Sequence, residues 1–289
     1  MSPDAREEKP RGRGAALLAA PQSANRWLFP AMFLCGLLFM TACTSKASLV
    51  ISGASTLYPV IGEIGEIFEA QNPEIRVDVM GGGTGRGINA VLKGRADIAM
   101  VARDLTEDEL RQLDVEWIAQ DAIAIVTHEE TLVEWDITIQ GLHDLYGSEF
   151  FGPMRRIRKQ ASHGTAAAFA KKLGLPMSQV HAELEAGSNA EVLAIVARTP
   201  GTIGYVSSID AERAVQAGEP VRILQVDGVL PTLENVRGGV YPIRRRLGLA
   251  RAKNWSDLRG HLRGLQFLEF VTTAPESKPL FLRHGFASD

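Results

Sequence analysis

Four stretches of the chain set small and hydroxyl-bearing residues where a β-like run hands over to a helical one. They are Ser52-Gly53-Ala54-Ser55-Thr56, Gly83-Thr84-Gly85-Arg86-Gly87, Ser162-His163-Gly164-Thr165 and Gly187-Ser188-Asn189. The chemistry open to them is anion capture. A helix N-terminus carries unpaired N–H groups and a partial positive charge, and glycines let the backbone approach an oxyanion closely. Ser and Thr hydroxyls can donate to the same anion or cap the helix, and for any one stretch the plain alternative is an N-cap with a turn.

The densest of the four lies in "MGGGTGRGINAVLKGRADIAM", with five glycines between Gly81 and Gly87. It fits neither familiar phosphate loop. G-x-G-x-x-G finds no register, since the last position from Gly81 is Arg86 and from Gly83 is Ile88. A P-loop needs Lys-Ser/Thr after its last glycine, and Gly87 is followed by Ile88-Asn89. No G-x-S-x-G, S-x-x-K or H-E-x-x-H occurs, and His128, His143, His163, His181, His261 and His284 show no ligand spacing. Carboxylate runs such as Glu107-Asp108-Glu109 and Glu129-Glu130 read as solvated helix starts. The expectation is a protein that is not an enzyme and takes no cofactor or metal.

The elements that must position these loops alternate along the chain. "SLVISGAS" reads as a strand, residues 57–71 as a helix with Leu57, Val60, Ile61, Ile64, Ile67 and Phe68 on one face, and "IRVDVM" and "ADIAMVA" as further strands. "AIAIVTH" (Ala122 to His128) reads as a buried strand. Ser188 with Glu191 gives a capping-box pattern ahead of another helix, and Gly174 and Pro176 end the one before it. Such alternation predicts α/β units with largely parallel strands.

The 289 residues carry a net charge of −3, with no broad basic field, so nucleic acid is not an expected partner. The first 46 residues differ from the rest: an Arg-containing polar lead, the 14-residue apolar run Trp27 to Met40, then Thr41-Ala42-Cys43. The run is short for a membrane span and suits a signal-peptide core. Cys43 after two small residues resembles a bacterial lipobox, with Met40 where Leu is usual; the alternative is an uncleaved N-terminal anchor. The two cysteines, Cys35 and Cys43, both lie in this region, so the folded part is expected to stand without a disulfide. Without residues 1–42 the chain holds 26 basic and 31 acidic side chains.

"SGASTLYP", "NPEIRVDVMGGGTGRGINAVLKGRADIAMVAR", "DAIAIVTH", "NAEVLAIVARTPGTIGYV" and "VDGVLPTLENVRGGVYPIRR" follow one another in the order and spacing of one family. From about Ser48 to the C-terminus the chain resembles the phosphate-binding solute receptors of bacterial ABC importers. The resemblance implies a type II periplasmic-binding-protein fold, two α/β lobes with mixed, mostly parallel sheets and a ligand cleft between them. It implies residues 1–42 as a lipoprotein signal peptide, one lobe from 48–122 and 242–289, and the other from 123–241, with crossovers near Asp121 to Thr127 and Tyr241 to Arg245. It also implies a monomeric, periplasmic or extracytoplasmic lipoprotein anchored through Cys43. The partners would be inorganic phosphate or a similar oxyanion and ABC permease subunits.

Carried over by position, one anion loop is Ala54 with Ser55, Thr56 and Leu57, and a second is Gly83 with Thr84, Gly85 and Arg86. Arg103 follows the "DIAM" strand, with Ala102 where a polar side chain is usual. In the second lobe the family shows an Arg ahead of Gly-Ser-Gly-Thr. Here the stretch is Arg158-Lys159-Gln160-Ala161-Ser162-His163-Gly164-Thr165, with Lys159, or Arg158 after a one-residue shift, as the basic partner. An ammonium is a point charge without the fork of a guanidinium, which bears on anion identity. His163, if it faces the cleft, would strengthen capture at acid pH; if it turns outward it is a loop residue. Asp104 and Ser55 are the candidate acceptors for a phosphate proton. The run Arg244-Arg245-Arg246 reads as surface-exposed near the second crossover, with the alternative that one Arg reaches the cleft.

Overall fold

The computed structural model describes residues 46–149, 152–254 and 257–288. The signal segment and Cys43 lie outside the described residues. Three parallel strands start the fold, β1 (Ala47–Gly53), β2 (Ile75–Met80) and β3 (Ile98–Val101). Between them run α1 (Tyr58–Gln71) and α2 (Thr84–Leu92). The predicted apolar face of α1 is buried through Val60, Ile61, Ile64 and Phe68, and the helix begins at Tyr58 because Leu57 serves as its N-cap.

After α3 (Glu107–Gln112), closed by a Thr106/Glu109 capping box, comes β4 (Leu113–His128). This 16-residue strand changes partners midway. Its first part, Leu113 to Ala122, pairs antiparallel with β10 (Arg244–Ala252); from Ile123 it pairs antiparallel with β8 (Thr202–Ser207) and then β9 (Val221–Val226). The strand order is β2-β1-β3-β10-β4-β8-β6-β7, with β6 (Arg155–Lys159) and β7 (Leu184–Ala186) at the far end. A two-residue β5 (Asp136–Ile137) pairs with β9. The expectation of largely parallel strands holds for the outer βα units only. β10 returns from the far half to lie between β3 and β4 and is antiparallel to both.

The far half carries α4 (Ile139–Gly147), α5 (Gly164–Leu173), α6 (Asn189–Arg198), α7 (Ser208–Gln216) and α8 (Leu233–Arg237). α9 (Leu258–Thr273) and α10 (Ser277–Arg283) pack against the first half. Each half has its own core. One gathers Leu49, Ile51, Ile61, Ile98, Leu247, Phe267 and Leu268; the other gathers Ile123, Ile125, Tyr146, Phe169, Tyr205 and Leu224. No helix among the described residues is long and apolar enough to cross a membrane. None of their His, Cys, Asp and Glu side chains group as a metal site.

Candidate functional site

Where β4 changes partners, Asp121 sits directly opposite Arg245 of β10 in the ladder. Side chains i and i+2 of a strand share a face, and Arg245 shares its face of β10 with Leu247, which is fully buried. The guanidinium is therefore driven inward, where a bare charge would be costly. It is answered by Asp121: Nη2 donates to Oδ2 at 2.6 Å and Nε to the same oxygen at 3.1 Å. The side chains are 1% and 0% exposed. Ser207 and Ser208 donate their hydroxyls to the same carboxylate. Complete burial pushes the Asp121 carboxyl above its ordinary range, against the pull of Arg245 and Ser207.

The remaining donors of Arg245 reach two of the predicted loops at once. Nη1 donates to Thr165 Oγ1 at 2.7 Å and Nη2 to Thr56 Oγ1 at 3.1 Å. One guanidinium thus holds a hydroxyl from each half of the molecule. The surface reading of the arginine run is corrected at this position. Arg246 is the exposed one, stacked over Trp117 at 4.2 Å, and Arg245 is buried.

The four loops border a single cavity of about 630 Å³, lined at one end by Ser55, Thr56, Gly83, Lys159, His163, Gly164 and Thr165. The loops are tied to one another by backbone. Gly83 N–H donates to Gly53 O at 2.8 Å, and Gly85 N–H to Ser162 O at 3.3 Å across the two halves. A Cβ on Gly164 would lie 2.5 Å from Thr84 Oγ1 and 3.1 Å from Ala102 O, so the second-half loop fits against the first only as glycine. Gly53, at φ +144°, is equally constrained: a Cβ there would meet Met100 O at 2.2 Å. Neither α2 nor α5 has a side-chain cap at its N-terminus. The α6 start differs, for Ser188 caps it by accepting from Glu191 N–H, and Gly187 N–H donates to the Glu191 carboxylate.

β6 decides between Arg158 and Lys159. Arg158 points outward to Glu185, and Lys159 is buried with its N–H on the Tyr205 hydroxyl. The Lys159 Nζ donates to Asn189 Oδ1 at 2.5 Å, and Asn189 Nδ2 donates to Asp210 Oδ2. Burial, with Arg245 adding repulsion and Asp210 and Asp121 opposing, lowers this lysine to about 7. His163 borders the cavity, half-buried, and burial together with the Lys159 and Arg86 charges holds it below its ordinary value.

Other expected members are placed differently. The Leu57 side chain is in the core and its N–H donates to Ala54 O, so it offers the cavity neither side chain nor amide. Arg103 does not border the cavity. Its guanidinium forks onto Glu109 at 2.7 and 2.8 Å and onto Asp104 O. Asp104 itself is taken by Lys171 and Arg246. Thr84 is buried with Oγ1 accepting from Ala102 N–H, while Arg86 and Ser162 are exposed and do not border the cavity. Asp210 on the cavity wall and Asp121, fully buried behind Thr56 and Thr165 through Arg245, are the carboxylates that motif reading passes over. The signal for Asp121 was a lone carboxylate entering a buried run.

Comparisons with known proteins bear on the fold and the family. Over 264 residues the chain is 26% identical to the phosphate-binding protein PstS of Bacillus subtilis (strain 168), covering 84% of this chain and 81% of that one. Among solved structures, one assigned to phosphate ABC transport from Clostridium perfringens, with bound phosphate, aligns at a TM-score of 0.73 and 23% identity, covering 84% of this chain and 99% of its own. An ABC-type phosphate transport receptor from Vibrio cholerae aligns at 0.66 and 23%, covering 83% and 100%. The fold is shared with both. A family model for the PBP superfamily domain matches residues 41–275, and the chain belongs to that family.

Proposed function

We propose that this protein is an extracytoplasmic receptor that captures a tetrahedral oxyanion, phosphate in the first instance, between the two halves of its sheet and delivers it to ABC permease subunits. The observation that carries the reading is the convergence of Thr56 and Thr165, one from each half, on the single buried guanidinium of Arg245. Uncapped helix starts at α2 and α5 add backbone donors beside it. Where a bidentate guanidinium was expected near Arg158 and Lys159, the cavity wall carries the Lys159 ammonium, and Arg245 of β10 acts through the two threonine hydroxyls that it orients. The phosphate-binding names of the relatives support the same reading. Ligand exchange needs the halves to part, and no bond of the ligand is made or broken.

Phosphate differs from sulfate in bringing a proton, which needs an acceptor. With Asp104 engaged elsewhere, Asp210 and Ser55 on the cavity wall are the acceptors. In this proposal the lobes are 48–122 with 242–289, and 123–241. The mature protein is a monomer anchored by lipid at Cys43.

The test is titration calorimetry on the chain from Ser45, with phosphate, arsenate, sulfate and molybdate at pH 6 and pH 8. Saturable phosphate binding that disappears in Thr56→Val and Thr165→Val supports the receptor. Binding of molybdate or sulfate in its place moves the reading to another oxyanion. Silence toward every anion at both pH values discards it.

A further inference from the structure

The cavity does not end at the oxyanion loops. Beyond Lys159 it continues past Asn189 and Asp210 into a groove between α6 and α7, floored by Leu193, Ala194, Ala197 and Ala214. A tetrahedral oxyanion of five heavy atoms displaces two or three waters, roughly 60–90 Å³. The whole space of about 630 Å³ is several times that and lies in the range of pockets that enclose organic ligands. Between the two helices the groove wall is aliphatic, through Leu193, Ala194, Ala197 and Ala214. At the neck, Lys159 is buried, borders the space and touches no carboxylate within ion-pair distance among the described residues; its side-chain partner is the neutral Asn189 amide. A buried cation so placed calls for an anionic group from the ligand. The groove behind it calls for an apolar substituent on that group.

Resting on the oxyanion reading above, we propose that the preferred ligand is an organic phosphate, a phosphomonoester or phosphonate whose head is held at the end lined by Thr56, Thr165 and Lys159 and whose apolar substituent lies along the α6/α7 groove. The alanines on the facing helices are what leave the groove open. Arg198 and Arg213 at its borders keep the far end accessible to polar atoms of the substituent.

The experiment is calorimetry on the purified full-length chain with inorganic phosphate and the methyl, propyl and hexyl phosphonates, and with hexyl phosphate as the ester counterpart. Affinity is expected to rise by roughly fourfold for each methylene that enters the groove. Ala197→Trp, and independently Ala214→Leu from the opposite wall, should flatten that rise while inorganic phosphate, too small to reach the groove, still binds. Inorganic phosphate binding with a series that is flat or falls with chain length overturns the inference and leaves the oxyanion reading standing. A rise that neither groove variant alters also overturns it. No binding of any member overturns both.

Discussion

Lys159 carries a buried amine that no carboxylate touches, and this fixes how the cavity responds to protons. Its folded value of about 7 lies below the ordinary 10.5. Between those values the unfolded chain binds more protons, so folding stability rises with pH across that window and the cost of burying the charge is complete below it. Lys159→Met is therefore expected to stabilise the ligand-free protein most at pH 6, by up to a few kcal/mol, with the gain shrinking toward pH 10; thermal melts across that range measure it. A captured anion should restore the charge. Calorimetry at pH 8 in buffers of different ionisation enthalpy should then show proton uptake in the wild type that is reduced in Lys159→Met, and equal uptake in both would place the proton elsewhere. The inward direction of Lys159 was written in the chain, since it follows buried Ile157 by two along β6. The same period-2 logic places Arg245 on the face of buried Leu247. An uninterrupted run of three arginines masks that logic, because charge density reads as surface before alternation is counted. Nothing in the sequence could say that Arg103 would be drawn off by Glu109, six residues along.

At the scale of elements, β4 and β10 do two things at once: they bridge the halves of the sheet and carry the ion pair beneath the cavity. Removing one partner leaves the other charged and buried, which costs about 3–5 kcal/mol. Asp121→Asn should lower stability by that order in denaturant titrations, whereas the double change Asp121→Leu with Arg245→Met should recover much of the loss yet remain unable to hold Thr56 and Thr165 together. The loop ahead of α5 is limited differently. Gly164→Ala would force a Cβ to within 2.5 Å of Thr84 Oγ1, and overpacking of this kind costs about 1–3 kcal/mol. Because that clash exists only with the halves together, phosphate affinity should drop roughly five- to hundredfold while each half keeps its fold, as circular dichroism would report. The helices and strands around these loops were legible from their 3.6 and 2.0 periods and from the Gly174 and Ser188 caps. The antiparallel return of β10 was not, since a strand's direction depends on where the chain has travelled rather than on its own residues.

Across the whole molecule the halves are also drawn together by Asp104, which follows β3. It receives Lys171 of α5 at 2.7 Å from the far half and Arg246 of β10 at 2.9 Å. The Lys171 and Arg246 hydrogen bonds hold its carboxyl below the ordinary aspartate range, against some desolvation. A carboxyl lowered in this way contributes its stabilisation above the ordinary range and loses it as pH falls through the lowered value, so the bridge is complete at neutral pH and fails only in strong acid. The groups are largely exposed, each pair is worth about 0.2–1 kcal/mol, and molar salt screens them. Three segments distant in sequence meet here, which is why charge counting could assign Asp104 to the ligand and not to a bridge between the halves. If the bridge acts on closure, Asp104→Asn should leave the association rate of the ligand nearly unchanged and speed its release roughly two- to tenfold. The difference from wild type should vanish in molar salt. Stopped-flow release at low and high ionic strength separates this from a role in the cavity: were Asp104 to hold the ligand directly, its replacement would weaken binding at both salt concentrations alike.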